Sequence, residues 1–134
     1  MRRFRRLALT LLVGGVAFGG VTRVALEGVE VVVQRTGAAA APRRTRTWIA
    51  DEGTAALVEA ANPERPFLRD LEVDKALFLE RGGAVEACRA DILPNPDGHE
   101  RIRGLLRARY GWADWWVGLL TDTSASVAVR LDCP

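Results

Sequence analysis

The feature that most constrains this chain is the order of short segments between Arg43 and Leu93. A stretch with a basic start, residues 43–50, is followed by an acidic turn that contains glycine and by a second apolar run, residues 55–60. A short helical segment and two strands around Gly82-Gly83 complete the order. Strand, turn, strand, short helix and hairpin is the order expected of a small β-barrel.

Local signals define the ends of these segments. Asn62 is a good N-cap and Pro63 suits the first helical position, so the short helix is predicted to begin there. Gly82-Gly83 predict a two-residue hairpin turn, because glycine accepts positive φ at both positions. In the following strand, residues 84–93, successive side chains point to opposite faces, so Cys88 shares one face with Ala90 and Ile92.

The C-terminal third adds a helix, an aromatic segment and a last strand. The segment Pro94-Asn95-Pro96-Asp97 ends the sheet, and the apolar stripe of the next helix consists of Ile102, Leu105 and Leu106. We expect most of its arginines to form a solvated face; these are Arg101, Arg103, Arg107 and Arg109. The sequence therefore predicts a mainly β fold with helices, of the α+β class: a small β-barrel with helical insertions, preceded by a hydrophobic helix.

Charge divides the chain into two unlike parts. Residues 1–46 contain nine arginines and two glutamates, a net charge of +7, whereas residues 47–134 have a net charge of −5. The acidic part offers no basic face for nucleic acid, so we expect no nucleic-acid partner. We place the domain boundary between residues 35 and 36, with residues 1–35 as an N-terminal membrane anchor or signal-like helix and residues 36–134 as the barrel domain.

An apolar run near the N-terminus favours a membrane anchor. Residues 7–21 are uncharged and follow four arginines, and extending the run to Leu26 gives twenty residues at the cost of including Arg23. About 20 residues span a bilayer, and an arginine near the end of a helix reaches the headgroups. A cleaved signal peptide and a helix buried in the domain remain alternatives. The side of the membrane is left open, because arginines lie on both sides of the run.

The two cysteines have no metal or redox spacing. Cys88 and Cys133 are 45 residues apart, and Cys88 is expected to be a small buried apolar residue. A disulfide between them requires an oxidising compartment. No metal cluster and no catalytic triad are recognisable, and His99 is interpreted as a surface residue.

Five segments, taken in order, resemble one known family; they are residues 44–48, 62–71, 82–83, 110–114 and 126–131. Together they resemble the deazaflavin-dependent nitroreductase and quinone reductase family, which has the flavin-reductase-like split barrel related to pyridoxamine phosphate oxidases. The likeness covers roughly residues 36–132. It implies a barrel that binds a deazaflavin or FMN in a groove, often as a homodimer.

The resemblance also implies which residues act. The cofactor phosphate would be held by the basic strand, and the short helix would lie beside the ring; carried over by position, these residues are Arg43, Arg44, Thr45, Arg46, Asn62 and Arg69. Tyr110, the one tyrosine, is the candidate for donating a proton or hydrogen bond to the acceptor, although packing is its alternative role. The three nearby tryptophans would line the acceptor pocket, pack in the core or enter the membrane interface.

Three functions are compatible with the sequence. The first is a membrane-anchored oxidoreductase that transfers hydride from a deazaflavin or flavin to a quinone or nitro compound. The second is a non-catalytic, membrane-tethered barrel that binds a hydrophobic ligand or a partner protein. The third is an exported structural domain held by a disulfide.

Overall fold

The computed structural model describes residues 2–37 and 42–134, which form a β-barrel with helices on its outside. The helices are α1 (Arg2–Glu27), α2 (Pro66–Val73), α3 (Asp97–Tyr110) and α4 (Trp112–Leu120). The strands are β1 (Val31–Thr36), β2 (Arg43–Glu52), β3 (Ala55–Ala60), β4 (Ala76–Arg81), β5 (Ala84–Ile92) and β6 (Val127–Asp132). This architecture confirms the predicted fold class.

The barrel closes in the order β1-β2-β3-β6-β5-β4, and every neighbouring pair is antiparallel. The hairpin between β4 and β5 turns at Gly82-Gly83, where both residues have positive φ, 56° and 83°. A side chain is strained in that region, so glycine fixes the turn and with it the register. Closure leaves no free sheet edge among these strands.

The side chains of each strand alternate between the barrel interior and the outer face. On β2, Thr47 and Ile49 point inward whereas Trp48 and Ala50 point outward. The interior is filled by buried apolar side chains from all six strands and α2, among them Phe67, Leu77, Ile49, Val129 and Leu131. The barrel is therefore a packed core rather than a ligand cavity.

Two helices cover one flank of the barrel from outside. Ile102 and Leu106 of α3 pack on Leu57, and α4 contributes Ala113 to the same buried cluster. Ala25, near the end of α1, completes the cluster. The covered strands are β2, β3 and β6, and this flank is where α1 meets the barrel.

Most of α1 projects away from the barrel. The segment Phe4–Glu27 is long and apolar enough to cross a membrane, and none of its apolar window is buried. The alternative of a buried core helix is thus not supported, whereas a membrane anchor and a signal sequence both fit the same length and composition.

The structure adds detail to several sequence predictions. The proposed boundary after residue 35 falls inside β1, since the valine-rich stretch before it is already barrel strand. The short helix begins at Pro66 rather than Pro63, because the chain first makes a turn at Asn62. Cys88 is not a free buried cysteine but is joined to Cys133, with their Cα atoms 4.3 Å apart. The disulfide ties the end of the chain to β5.

Arg101, Arg107 and Arg109 of α3 are exposed, as expected of a solvated face, whereas Arg103 is largely buried. Ion pairs nevertheless hold three of the four arginines. Arg101 pairs with Glu52, and Arg103 bridges Glu59 and Asp114. Arg109 joins Arg81 in a cluster with two carboxylates at one end of the barrel, Glu30 and Asp51. Hydrogen bonds from Arg81 are the main cause that lowers the pKa of both carboxyl groups. These pairs fasten α3 to the barrel.

Candidate functional site

A groove lies where the end of α1 meets the outer face of β2. One part has a volume of about 240 Å³ and is lined by Leu26, Glu27, Val31, Arg46, Thr47 and Trp48. A second part, of about 200 Å³, shares Leu26, Arg46, Thr47 and Trp48 and extends to α4 at Val117 and Gly118. We call the two together the Trp48 groove. Most of its wall area is apolar and Trp48 is its aromatic residue, which suits a planar or lipophilic ligand, and five charged side chains also line it: Glu27, Arg46, Glu59, Arg103 and Asp114.

Arg46 is the cation of this groove. Strand alternation places it on the outer face of β2, opposite Val33 of β1. Its side chain is exposed, and it has no hydrogen-bond or salt-bridge partner among residues 2–37 and 42–134. A guanidinium without a carboxylate partner beside an apolar wall can bind an acidic group with two parallel hydrogen bonds.

The floor of the groove holds a charged cluster. Arg103 donates to Glu59 Oε1 at 3.1 Å and to Asp114 Oδ1 at 2.6 Å, and the three side chains are 13%, 14% and 4% exposed. Burial alone would lower the pKa of Arg103, but the two carboxylates outweigh it and the pKa is raised. The cluster links β3, α3 and α4, so it fixes the floor in place.

The predicted phosphate site is divided between the two faces of β2. Arg43 lies on the inner side at the end of the barrel, where its Nε donates to Asp70 Oδ2 at 3.0 Å, beside the bond from Thr36 Oγ1 to the same oxygen. Arg44 lies on the outer face and pairs with Glu80 at 3.2 Å. Thr45 faces inward opposite Gln34. The structure therefore brings Arg46 alone of these four to the groove.

Asn62 and Arg69 are not among the residues that line the Trp48 groove. The side chain of Asn62 accepts a hydrogen bond from the backbone N–H of Glu64 at 3.1 Å, which fixes the turn before α2. Arg69 is exposed on α2. Their assignment to a cofactor ring remains a prediction from the resemblance, and the local geometry does not favour it.

Tyr110 occupies a structural position at the end of α3. Its hydroxyl donates to Ile49 O at 2.6 Å and accepts from Ile49 N at 3.2 Å, and Glu30 O lies 3.1 Å away. Val31 pairs with Trp48, so Glu30 and Ile49 would be the next rung of the β1–β2 ladder. The Tyr110 hydroxyl lies between these two residues and bonds to the backbone of both, in place of a direct backbone pair. It is buried, and this geometry favours packing over proton donation.

Among the groove residues that sequence reasoning misses are Leu26, Val31 and Trp48. Leu26 belongs to the predicted anchor and Val31 to the valine-rich stretch after it, so no local pattern joins them to β2. Trp48 was recognised only as part of a motif. The one signal that the sequence offers for the groove is the presence of Trp48 in the same strand as the basic residues 43–46.

The closed six-stranded barrel with helices outside agrees with the barrel fold that the sequence resemblance implied. Three of the solved structures with a similar fold are the following. A FAD-binding protein from Mesorhizobium loti has a TM-score of 0.56 and 16% identity, covering 86% of this chain and 88% of its own. An F420 reductase has a TM-score of 0.53 and 16% identity, covering 84% and 92%. An F420-H2-dependent reductase has a TM-score of 0.56 and 15% identity, covering 76% and 93%.

At these identities the similarity establishes the fold and not the activity. Neither a protein-family model nor a curated protein matches the sequence. The function therefore has to be argued from the groove and its surroundings.

Proposed function

We propose that this chain is a membrane-anchored oxidoreductase that uses a flavin or deazaflavin and transfers hydride to a lipophilic quinone or nitro acceptor. The observation that carries the proposal is the Trp48 groove, where an apolar wall lies beside the guanidinium of Arg46, which pairs with none of the described residues. The names of similar structures support the cofactor class, since FAD is a flavin and F420 is a deazaflavin.

The residues of the groove fit one acidic group and one planar ring. Arg46 would hold a phosphate or carboxylate of the cofactor, while Leu26 and Val31 would exclude water from the ring. The Trp48 ring is itself held in place by Tyr110, with ring centroids 4.7 Å apart. When bound, the cofactor would supply the hydride, and the protein would supply orientation and shielding.

The position of the groove supports a lipophilic acceptor. Leu26 belongs to both the groove and the last turn of α1, the helix that is long and apolar enough to cross a membrane. A quinone dissolved in the bilayer would therefore reach the groove along α1. The homodimer implied by the resemblance remains a prediction; we expect it at the outer face of β4 and β5, where Phe78 and Val85 are exposed.

Cofactor titration of the full-length chain in lipid nanodiscs tests the proposal. FMN and F420 are each added to the wild type, to Arg46→Gln and to Arg44→Gln, and binding is followed by cofactor fluorescence. We expect Arg46→Gln to weaken binding about tenfold or more, since a hydrogen bond to a charged group contributes about 1.5–3 kcal/mol. Arg44→Gln is the matched control, because Arg44 is on the same strand but already paired with Glu80.

Two results would refute the proposal: no binding of either cofactor, or the same affinity in Arg46→Gln as in the wild type. Menadione reduction with each reduced cofactor then distinguishes an oxidoreductase from a protein that only binds the cofactor. Arg44→Gln serves as the control in that assay as well.

A second function is favoured by one observation, the Cys88–Cys133 disulfide. Disulfides persist in oxidising compartments, which suits an exported, membrane-tethered barrel that binds a hydrophobic ligand without catalysis. This alternative predicts no reduction of menadione with either cofactor. It also predicts that menadione quenches tryptophan fluorescence in the wild type and much less in Trp48→Phe.

A further inference from the structure

The surface of α4 carries a stripe of large apolar side chains, and the exposed Arg107 of α3 lines the same cleft as two of them, Trp115 and Leu119. Trp112, Trp115 and Leu119 are spaced i, i+3 and i+7, so they share one face of the helix. They are 54%, 63% and 62% exposed. The one charged residue of α4, Asp114, points the other way and is bound to Arg103.

This helix is held directly against α1. The Trp116 ring lies 5.5 Å from the Phe18 ring, and its Nε1–H donates to Thr22 Oγ1 at 3.1 Å. Phe18, Val21 and Val24 of α1 are themselves exposed. The apolar surface of α4 is thus continuous with that of the candidate anchor.

The position of this contact along α1 determines its depth in a bilayer. The uncharged run from Leu7 to Thr22 has sixteen residues and is about 24 Å long at 1.5 Å per residue. The hydrocarbon core is about 30 Å thick, so the run alone is slightly short. Thr22 is the last residue of this run, and the charged Glu27 lies only about 7.5 Å further along the helix. Thr22 is therefore placed near the membrane interface. Trp116 is bonded at that level, and tryptophan is enriched there.

We propose that α4 is an interfacial helix and that Trp112, Trp115 and Leu119 insert into the headgroup boundary of the bilayer that α1 crosses. The inference rests on the proposed membrane anchor. Insertion of α4 would hold the barrel against the lipid surface and restrict its movement relative to α1. The Trp48 groove, lined by Leu26 of α1 and Val117 of α4, then lies beside the two helices that contact the lipid.

Depth-dependent quenching in the full-length chain tests this inference. Both native cysteines are in the disulfide, so an introduced cysteine is the one reactive thiol. Three single variants are labelled with an environment-sensitive NBD probe and placed in phosphatidylcholine–phosphatidylglycerol vesicles: Leu119→Cys on α4, Val16→Cys on α1 and Val73→Cys on α2. Val73 is 90% exposed on a helix that packs against β5 and β1, and serves as the matched aqueous control.

We expect the Leu119 probe to be quenched by lipids carrying a doxyl group near the headgroup, and iodide to quench it about threefold less than the Val73 probe. The Val16 probe should be quenched by doxyl groups near the chain ends. A Leu119 probe that behaves like the Val73 probe, while Val16 is in lipid, overturns the inference and leaves the anchor intact.

Two other outcomes also overturn it. Protection of the Leu119 probe from iodide without quenching by doxyl lipid means that protein, such as a second copy of the chain, covers α4. Iodide quenching of the Val16 probe means that α1 does not insert, so that the anchor and the interfacial helix fail together.

Discussion

Replacing Tyr110 with phenylalanine tests whether this residue stabilises the barrel or donates a proton. The substitution removes the hydroxyl that bonds both backbone groups of Ile49 and leaves the ring in contact with Trp48. Ile49 is fully buried, so its N–H loses its partner where water does not reach. An unsatisfied buried donor costs about 1–3 kcal/mol, and the unchanged ring volume adds no cavity cost.

We therefore expect Tyr110→Phe to lose about 2 kcal/mol of unfolding free energy, or about 8 °C in Tm. Urea unfolding of the chain in nanodiscs, followed by tryptophan fluorescence, measures the difference. Thr54→Val is the matched control, because it removes an exposed hydroxyl from the β2–β3 turn and should change stability by less than about 0.5 kcal/mol.

The same variant should also change the pH dependence of stability. Burial is the main cause that raises the pKa of Tyr110 above its ordinary value of 10.0. The folded state thus holds this proton more tightly than the unfolded state, so stability is complete below pH 10 and falls as the pH rises further. Tyr110→Phe should lack this alkaline loss. Because Tyr110 is the one tyrosine, absorbance of ionised tyrosine reports its titration directly.

Two results would refute the structural role of the Tyr110 hydroxyl. One is a Tyr110→Phe protein as stable as Thr54→Val, and the other is a tyrosine titration at the ordinary pKa. Loss of menadione reduction with unchanged stability would instead restore the proton-donor role.

Two further substitutions test the barrel itself. Cys133→Ser should destabilise the chain by about 4 kcal/mol, which is the chain-entropy estimate for opening a loop of this length. A thiol count on the unreduced, unfolded wild type should find no free thiol. Free thiols in that assay would contradict the disulfide. Gln34→Leu should stabilise the chain by about 1–2 kcal/mol, because both polar atoms of this fully buried amide lack a hydrogen-bond partner among the described residues. A lower urea midpoint for Gln34→Leu would show that the amide has a partner in solution.

The elements that sequence reasoning predicted correctly are those set by local chemistry. The β4–β5 hairpin follows from two glycines that accept positive φ, and α3 follows from an apolar stripe at helical spacing. The sequence leaves β1 ambiguous, because its run of valines suits either a strand or a helix that continues from the membrane. Its assignment is decided by pairing with β2 and β4, which are distant in sequence.

The candidate site was harder to predict, because it depends on which side of a strand each residue occupies. Arg43, Arg44 and Arg46 are close in sequence, yet alternation sends Arg43 inward and the other two outward. A carboxylate from β4 then pairs with Arg44, and none of the described residues pairs with Arg46. Neither fact is visible in the sequence, since Glu80 lies 36 residues from Arg44. Arg46 is proposed as the cofactor-binding arginine because no described residue pairs with it.

The disulfide bears on which of the two proposed functions holds. If Cys88–Cys133 forms in the cell, the barrel faces an oxidising compartment. The four arginines before the apolar run of α1 would then remain on the cytoplasmic side, as the positive-inside rule favours. A barrel in that orientation needs a reduced cofactor on the oxidising side, whereas ligand binding needs none. A disulfide found in the cell together with failed cofactor titration would therefore favour the ligand-binding barrel, and free thiols with binding sensitive to Arg46 would favour the oxidoreductase.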